Sequence, residues 1–284
     1  MNIEEQIARD NAICQYVENS ILPILIDYDD LNNGQRMAGI LGTGTLFKFF
    51  EKYFLVSAAH VLTSTEGYDD YIGIPIGKDN IQVLTFQDCV KYFPNDDTLR
   101  DIYDIGIIRL SDNHGKQLEQ CYHFLNELDI RFKINKEMNI YISGFPYSWG
   151  RFDENKNILI GKPFRLMSIY KTPRKNYDNF DPKVHILVEY SDMYYSWGNE
   201  NKPIKAEQDL GGISGSAMWA FEDNQTTIWS AEKCLKVIGI QSHLMKAEYI
   251  KGTKWVYLIE AFKHIDQDIF NLLSECKEKQ LYGA

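Results

Sequence analysis

A serine in a glycine-rich turn is the side chain of this sequence best suited to nucleophilic chemistry. Ser214 lies in the segment Gly211-Gly-Ile-Ser-Gly-Ser216. Its glycines let the backbone bend and bring the N–H groups close to a bound group. A nucleophilic serine needs an exposed hydroxyl and amides directed at the oxygen that becomes negative. Glycine- and serine-rich turns are common, so the hexapeptide indicates catalysis only if other segments of the chain provide a base and an acid.

Two other segments supply a base and an acid. The apolar run Phe54-Leu-Val-Ser-Ala-Ala-His60 predicts a strand that ends at a histidine, approached through small residues. Asp104 leads directly into Ile105-Gly-Ile-Ile-Arg-Leu110, a second predicted strand. Imidazole suits general acid–base catalysis near neutral pH. A buried aspartate can hold an imidazole in the required tautomer and stabilise its protonated form.

In this chain order of histidine, aspartate and serine, the sequence resembles the chymotrypsin/trypsin-like serine proteases, in particular the intracellular, bacterial type. The intervals are 44 and 110 residues. The resemblance spans residues 35–260 and includes three more segments. Gly42-Thr-Gly-Thr-Leu46 matches the strand start before the histidine, and Ile140-Tyr-Ile-Ser-Gly-Phe-Pro146 matches the first strand of the second barrel. Val237-Ile-Gly-Ile-Gln-Ser242 matches the strand that edges the substrate cleft.

The resemblance implies an all-β protein, a chymotrypsin-like double antiparallel β-barrel with N-terminal and C-terminal helices. Helical spacing of apolar residues at both ends fits the two helices. The predicted organisation is an N-terminal helical segment at 1–25, a double barrel at 26–255 and a C-terminal helix at 256–284. The first lobe is expected at 26–115 and the second at 135–255.

The resemblance also assigns roles. Ser214 is the nucleophile, His60 the general base and then acid, and Asp104 the orienting acid. Asp101 is the competing acid, but the family's pattern of an aspartate before Ile-small-Ile starts at Asp104. The oxyanion hole is expected from the backbone N–H groups of Gly212 and Ser214, and glycine at 212 suits a peptide that must turn its N–H inward.

Residue 213 departs from the family pattern. The secreted enzymes have an aspartate just before the serine, which pairs with the N-terminus that zymogen cleavage creates, whereas this chain has Ile213. An isoleucine makes no ion pair, so we expect an oxyanion hole that N-terminal processing does not switch on. It is either permanently formed or ordered by a partner or a substrate.

Substrate specificity is weakly determined by the sequence. Gln208 stands six residues before the serine, where the family has the base of the pocket, and Asp209 follows it. Asp209 either attracts a lysine or arginine of the substrate, caps the local loop or faces solvent. His243 either lines the pocket or is solvated. The remaining candidates for the pocket are Gln241 and Leu244, and Leu244 would narrow the entrance.

Composition excludes several functions. The 284 residues carry 40 acidic and 30 basic side chains, a net charge of −10, so nucleic acid is a poor partner. No run approaches the roughly 20 apolar residues of a membrane span, and no signal peptide is recognisable. Five scattered cysteines predict a reduced, cytoplasmic protein. Their spacing fits no metal site, and no cofactor motif appears, so we expect no metal and no cofactor.

The function that the resemblance implies is a serine endopeptidase that cleaves a protein or peptide substrate through an acyl-enzyme. By analogy, a regulatory protein partner would control it in a bacterial stress or defence system. The alternative is a protease-fold module that binds peptides or other partners without turnover. A degenerate triad would favour that alternative, and all three positions are filled here.

Overall fold

The computed structural model describes residues 2–30, 35–63, 72–77, 83–86, 89–94, 97–135, 138–153, 158–170, 179–190, 194–197, 200–203, 210–222, 229–245 and 248–283. Its helices are α1 (Ile3–Asn19), α2 (Ala59–Thr63), α3 (Asp97–Tyr103), α4 (Asp112–Leu118), α5 (Ala231–Cys234), α6 (Trp255–Ile265) and α7 (Gln267–Tyr282). Short 3-10 turns occupy Glu127–Asp129 and Tyr147–Trp149.

The strands fall into a first group before residue 110 and a second group after residue 138. The first group is β1 (Ile21–Asp30), β2 (Gln35–Phe49), β3 (Lys52–Ser57), β4 (Ile72–Pro75), β5 (Val83–Thr85), β6 (Val90–Tyr92) and β7 (Gly106–Arg109). The second group is β8 (Asn139–Gly144), β9 (Arg151–Asp153), β10 (Ile158–Ile160), β11 (Phe164–Ile169), β12 (His185–Glu189), β13 (Tyr194–Trp197), β14 (Glu200–Pro203), β15 (Ala217–Phe221), β16 (Leu235–Met245) and β17 (Tyr249–Lys254).

The first group forms one antiparallel sheet in the order β5-β4-β1-β2-β3-β7-β6. The sheet curls into a half-barrel around its own apolar core, which includes Leu22, Leu46, Leu55, Ile72 and Ile108. Strand β3 lies near the middle of the sheet and is buried along five of its six residues. Its continuous apolar character therefore reflects a strand covered on both faces.

The second group forms an eight-stranded antiparallel sheet in the order β12-β17-β16-β15-β8-β11-β13-β14, and β9 pairs with β10 separately. Its core contains Ile142, Leu166, Val188, Met218 and Ile238. Each of the two sheets thus buries its apolar side chains in a core of its own. The two sheets are curled antiparallel half-barrels with helices at both ends, and the predicted fold class, an all-β double antiparallel barrel with N-terminal and C-terminal helices, is confirmed.

A third apolar cluster joins the two sheets to the terminal helices. We call the following buried aromatic residues the apolar seam: Phe47, Phe49, Trp219, Trp255 and Phe262. The Phe47 and Trp255 rings lie 4.5 Å apart, and the Phe49 and Phe262 rings 5.4 Å apart. Helix α1 joins the same layer through Tyr16, whose ring lies 5.7 Å from that of Trp219. Large aromatic side chains bury much apolar area, so this layer holds the lobes together.

Two predicted boundaries need correction. The helical segment at 1–25 is too long, because α1 ends at Asn19 and residues 21–25 begin β1. The run Ile-Leu-Pro-Ile-Leu explains the difference, since proline is unsuited to a helix interior and consecutive apolar residues suit a buried strand. The predicted C-terminal helix is two helices, because the extended backbone of Asp266 (φ −159°) ends α6 and its carboxylate caps α7.

Among the described helices, none has the length and apolar character needed to cross a membrane.

Candidate functional site

The pairing of β3 with β7 brings His60 and Asp104 together. The antiparallel register places Ser57 opposite Gly106. His60 follows Ser57 by three residues and Asp104 precedes Gly106 by two, so both side chains emerge at the same edge of the first sheet. Residues 44 positions apart in the chain are neighbours because two buried strands pair in one register.

His60 makes two hydrogen bonds with Asp104. The His60 backbone N–H donates to Asp104 Oδ1 at 2.9 Å, and the ring Nδ1 lies 2.8 Å from Oδ2. The residue belongs to the single turn α2 rather than to a strand end as expected, because the chain turns helical at Ala59. Its side chain is 47% exposed, whereas that of Asp104 is 6% exposed. A fixed carboxylate thus orients a ring that remains accessible.

Asp104 is a charged group held in place by its backbone as well as its partners. It follows α3 with a φ of +46°, and its N–H donates to the Arg100 carbonyl at 2.7 Å. Aspartate tolerates this left-handed conformation better than most residues. Burial by itself would raise the pKa of the carboxyl, but hydrogen bonds from His243 and His60 outweigh burial and hold that pKa well below its usual range. The site therefore holds a carboxylate anion near neutral pH.

The turn that carries Ser214 is tied to the first lobe by backbone and hydroxyl groups of β2. The Thr43 N–H donates to the Ser214 carbonyl at 2.9 Å, and its hydroxyl donates to the Gly212 carbonyl at 2.9 Å. The Thr45 hydroxyl donates to the Gly215 carbonyl at 3.1 Å. The predicted strand start at 42–46 thus has a positional role, because it fixes the serine turn against the sheet that carries His60.

Glycine is required at two positions of this turn. Gly212 and Gly215 have φ values of +97° and +96°, which side chains rarely tolerate. A Cβ at Gly212 would lie 2.5 Å from the Tyr147 nitrogen, and a Cβ at Gly215 would lie 2.0 Å from the Thr43 carbonyl oxygen. Close approach of two backbones therefore accounts for the glycine-rich sequence.

The amides of Gly212 and Ser214 are available to a ligand. Within the part of the chain that the structure describes, neither N–H donates to another residue. The neighbouring amides of Ile213, Gly215 and Ser216 are all occupied, by the carbonyls of Leu210, Gln241 and Ile213. The Ser214 hydroxyl itself donates to the Ser242 carbonyl at 3.0 Å, and the described hydrogen bonds include none between Ser214 and His60.

His243 is brought to the same carboxylate. Its Nδ1 lies 3.2 Å from Asp104 Oδ2, and its ring centroid is 5.2 Å from that of His60. A shift of register between Gln241 and His243 in the β16–β17 pair gives the strand an irregular stretch here. The sequence placed His243 beyond the cleft-edging strand but gave no sign of a contact with Asp104.

Lys251 was missed by the sequence analysis. It pairs with His243 across β16 and β17, is only 3% exposed, and donates to the Asn179 carbonyl at 3.3 Å. Burial lowers the pKa of this ammonium group, and the negative charge of Asp104 partly opposes that effect. The strand β17 (YIKGTK) was not predicted from the sequence, and a lysine within it is the one signal that could have drawn attention to this residue.

The predicted pocket residues have different outcomes. Gln241 is 1% exposed, and its backbone pairs with Gly215 and Ser216 beside Ser214. Leu244 is 37% exposed. Gln208 and Asp209 lie outside the described residues. The expectation of a basic first substrate residue, which depends on Asp209, stays a prediction.

Comparison with known proteins finds similarity among solved structures alone. No protein-family model and no curated protein sequence matches the chain. Among solved structures, the chain is similar to the protease Anisep from Arthrobacter nicotinovorans, with 12% sequence identity and a TM-score of 0.48. The match covers 87% of this chain and 94% of that one. An identity this low transfers no residue role.

Proposed function

We propose that this protein is a trypsin-like serine endopeptidase in which Ser214 is the nucleophile, His60 the general base and Asp104 the orienting acid. The observation that carries the proposal is the contact of His60 Nδ1 with Asp104 Oδ2 at 2.8 Å. It lies at the end of β3, against which the Ser214 turn is packed, since a Cβ at Gly215 would lie 3.0 Å from the Cα of Ser57. An imidazole held through Nδ1 leaves Nε2 as its proton acceptor.

In the proposed reaction, His60 Nε2 takes the proton of the Ser214 hydroxyl while Oγ attacks the carbonyl carbon of the scissile peptide bond. His60 then gives that proton to the departing amine nitrogen as the C–N bond breaks, which leaves an acyl ester on Ser214. A water molecule, deprotonated by His60, cleaves the ester and restores the serine. The Ser214 hydroxyl must first leave the Ser242 carbonyl, to which it now donates.

The amides of Gly212 and Ser214 would stabilise the oxyanion of the tetrahedral intermediate. Their availability supports this role, since donors prepositioned for the developing charge need no reorganisation. Ile213, between them, is 1% exposed and belongs to the core of the second lobe. Apolar packing at 213 would thus hold the turn where the secreted enzymes use an ion pair. We therefore infer a permanently formed hole that needs no N-terminal processing.

The experiment that tests the proposal is labelling with a fluorophosphonate probe. The unmodified protein should be labelled at Ser214, and Ser214→Ala should not be labelled. Ser230→Ala is the matched control, because Ser230 precedes α5 without a side-chain capping bond and should leave labelling intact. Failure of the unmodified protein to react, in the presence and absence of candidate partners, would contradict the proposal.

A second candidate function is a peptide-binding module without turnover. The observation in its favour is the Ser214 hydroxyl, which is bonded to a carbonyl rather than to His60. Profiling with a proteome-derived peptide library separates the two functions and tests the basic preference at the same time. A protease should cut peptides that Ser214→Ala leaves intact, whereas a binding module should return every peptide uncut.

The biological setting remains a proposal. A protein or peptide is the substrate we propose, and a regulatory protein partner in a bacterial stress or defence system is the proposed means of control. The test compares activity of the isolated chain with its activity beside the products of neighbouring genes. Equal activity in both cases would contradict partner control. The cytoplasmic location stays a prediction. All five cysteines are among the described residues, and none of them forms a disulfide.

A further inference from the structure

Two imidazole rings meet one carboxylate oxygen at the candidate site. His60 Nδ1 lies 2.8 Å and His243 Nδ1 3.2 Å from the same Asp104 Oδ2. One ligand atom from each of the three residues lies within 4.8 Å of the others. A triad needs a single imidazole on its aspartate, so the second ring calls for a separate explanation.

The donor set is that of a transition-metal site. Two imidazole nitrogens and a carboxylate oxygen suit Zn²⁺ and its neighbours in the first transition row. The Asp104 side chain is 6% exposed, whereas the rings of His60 and His243 belong to side chains that are 47% and 50% exposed. The anionic ligand is therefore buried and fixed, and the two neutral ligands face the solution from which an ion would enter. Three protein ligands leave a fourth position for water.

The two separations from the carboxylate oxygen require only a small adjustment. Ligand atoms around a tetrahedral Zn²⁺ stand about 3.3–3.5 Å apart when each is about 2.0–2.2 Å from the ion. The two observed separations, 2.8 and 3.2 Å, are shorter by a few tenths of an ångström. Rotation of the two half-exposed rings supplies that difference. Each neutral ring would move its proton to Nε2 and offer the Nδ1 lone pair to the ion; a protonated ring would release one proton to solvent.

We propose that His60, Asp104 and His243 form a binding site for a divalent transition-metal ion of the Zn²⁺ class, and that occupancy reversibly inhibits the enzyme. The inhibitory part depends on the proposed function. A metal on His60 Nδ1 puts the proton on Nε2, the atom that must accept the proton of Ser214, and it removes Asp104 from its orienting role. The buried ammonium of Lys251 beside Asp104 opposes a second cation, so we expect binding that a chelator reverses.

Metal binding is tested first in the Ser214→Ala protein, where it does not depend on turnover. Zn²⁺ is titrated against a chromophoric chelator, and Co²⁺ binding is followed by its visible absorption. We expect one ion per chain. His243→Ala should weaken binding at least about tenfold, the lower end of the losses measured even for groups outside the coordination shell. The matched control is His264→Ala, on the exposed side of α6, which should bind like the parent.

Inhibition is tested in the otherwise unmodified protein. Zn²⁺ should slow the rate of fluorophosphonate labelling of Ser214, and EDTA should restore that rate. The labelling rate of His243→Ala should change little when Zn²⁺ is added. The labelling rate of His264→Ala should fall as it does in the unmodified protein. Absence of stoichiometric binding, or equal binding by His243→Ala, would overturn the metal site. Stoichiometric binding by a protein that the probe never labels would leave the site standing and overturn the proposed protease function instead.

Discussion

Two regions join the lobes of this protein by opposite means. The apolar seam (Phe47, Phe49, Trp219, Trp255 and Phe262) is fully buried. The polar edge, by which we mean His60, Asp104, Ser214 and His243, relies on hydrogen bonds, and both histidines are about half exposed. Apolar packing is strong but not directional, whereas hydrogen bonds fix angles and distances. The comparison indicates that the apolar seam provides most of the stability of the contact between the lobes. The polar edge then need not stabilise that contact, and its side chains can remain exposed for chemistry.

The largest expected effect is on activity, and it follows from a substitution in the polar edge that should affect activity more than stability. Asp104→Asn should lower kcat/KM about 10⁴-fold, because the imidazole loses the partner that sets its tautomer. The free energy of unfolding should also fall, by less than the loss in activity corresponds to, because asparagine accepts the φ of +46° but loses the charge that His60 and His243 stabilise. Steady-state kinetics and chemical denaturation check both parts. Asp101→Asn, at the exposed competing acid, is the control, and an equal loss there would contradict the assignment.

The next effect belongs to the apolar seam. Trp255→Ala should lower the free energy of unfolding by about 3–5 kcal/mol, because a fully buried ring that packs on Phe47 leaves a cavity. At temperatures well below the melting temperature of the variant, its activity per folded molecule should equal that of the unmodified protein. Denaturation and active-site titration measure the two quantities. Tyr282→Ala, at a side chain 79% exposed on α7, should stay within about 0.5 kcal/mol. Matching losses in both variants would show that the seam is not the cohesive region.

A third change tests the geometry of the serine turn. Gly212→Ala should lower kcat by about 10²–10³, the usual effect of losing one oxyanion donor. The added Cβ would meet the Tyr147 nitrogen at 2.5 Å at a φ of +97°, so the peptide must shift. Gly39→Ala is the control, because nothing lies within 4 Å of a Cβ there. Unchanged turnover in Gly212→Ala would argue against an oxyanion role for this amide.

The smallest effect concerns an ion pair between the first sheet and the C-terminal helices. Asp266 pairs with Lys52 at the start of β3, the strand that leads to His60. Burial alone would raise the pKa of Asp266, but the bonds from Lys52 and the Ile269 N–H outweigh it and lower that pKa. A lowered pKa in the folded state means that the stabilisation is present above about pH 4, the unfolded value, and is lost as pH falls through the folded value.

Asp266→Asn should therefore cost about 1 kcal/mol at pH 7, in line with hydrogen bonds to charged groups that remain partly exposed. Asparagine keeps the helix cap, so the variant isolates the charge. Denaturation at a series of pH values should show the difference from the unmodified protein shrinking below pH 4. A difference independent of pH would mean that the carboxylate charge contributes nothing.

The sequence predicted the fold class and several strands, among them β3, β7, β8 and β16, but it failed where the local pattern was ambiguous. Ile21 continues the apolar spacing of the N-terminal helix and the predicted helical segment extended to residue 25, yet residues 21–25 form the start of β1. The pairing of β1 with β2 over ten residues overrides the helical periodicity. The C-terminal pattern gave no sign of the break at Asp266, because both helices present apolar residues at compatible spacing.

The sequence allowed most residues of the candidate site to be named, but it did not predict which of their side chains contact one another. His60, Asp104 and Ser214 were selected from small residues, adjacent strands and a glycine-rich turn. His243 was placed near the cleft without its contact to Asp104, and Lys251 was not considered. The expectation of no metal site depended on the spacing of cysteines along the chain, whereas the metal site that we propose would combine His60, Asp104 and His243 from distant segments.

Residue types and their periodicity alone indicated several of the buried strands, the turn that needs glycine, and the side chains that have chemistry to offer. Only the tertiary structure decided that Ser57 lies opposite Gly106, and that an irregular register after Gln241 brings His243 to Asp104. The physical reason is that periodicity reports which face of a strand is buried. Register is set by pairing between segments far apart in the chain, which no local pattern specifies.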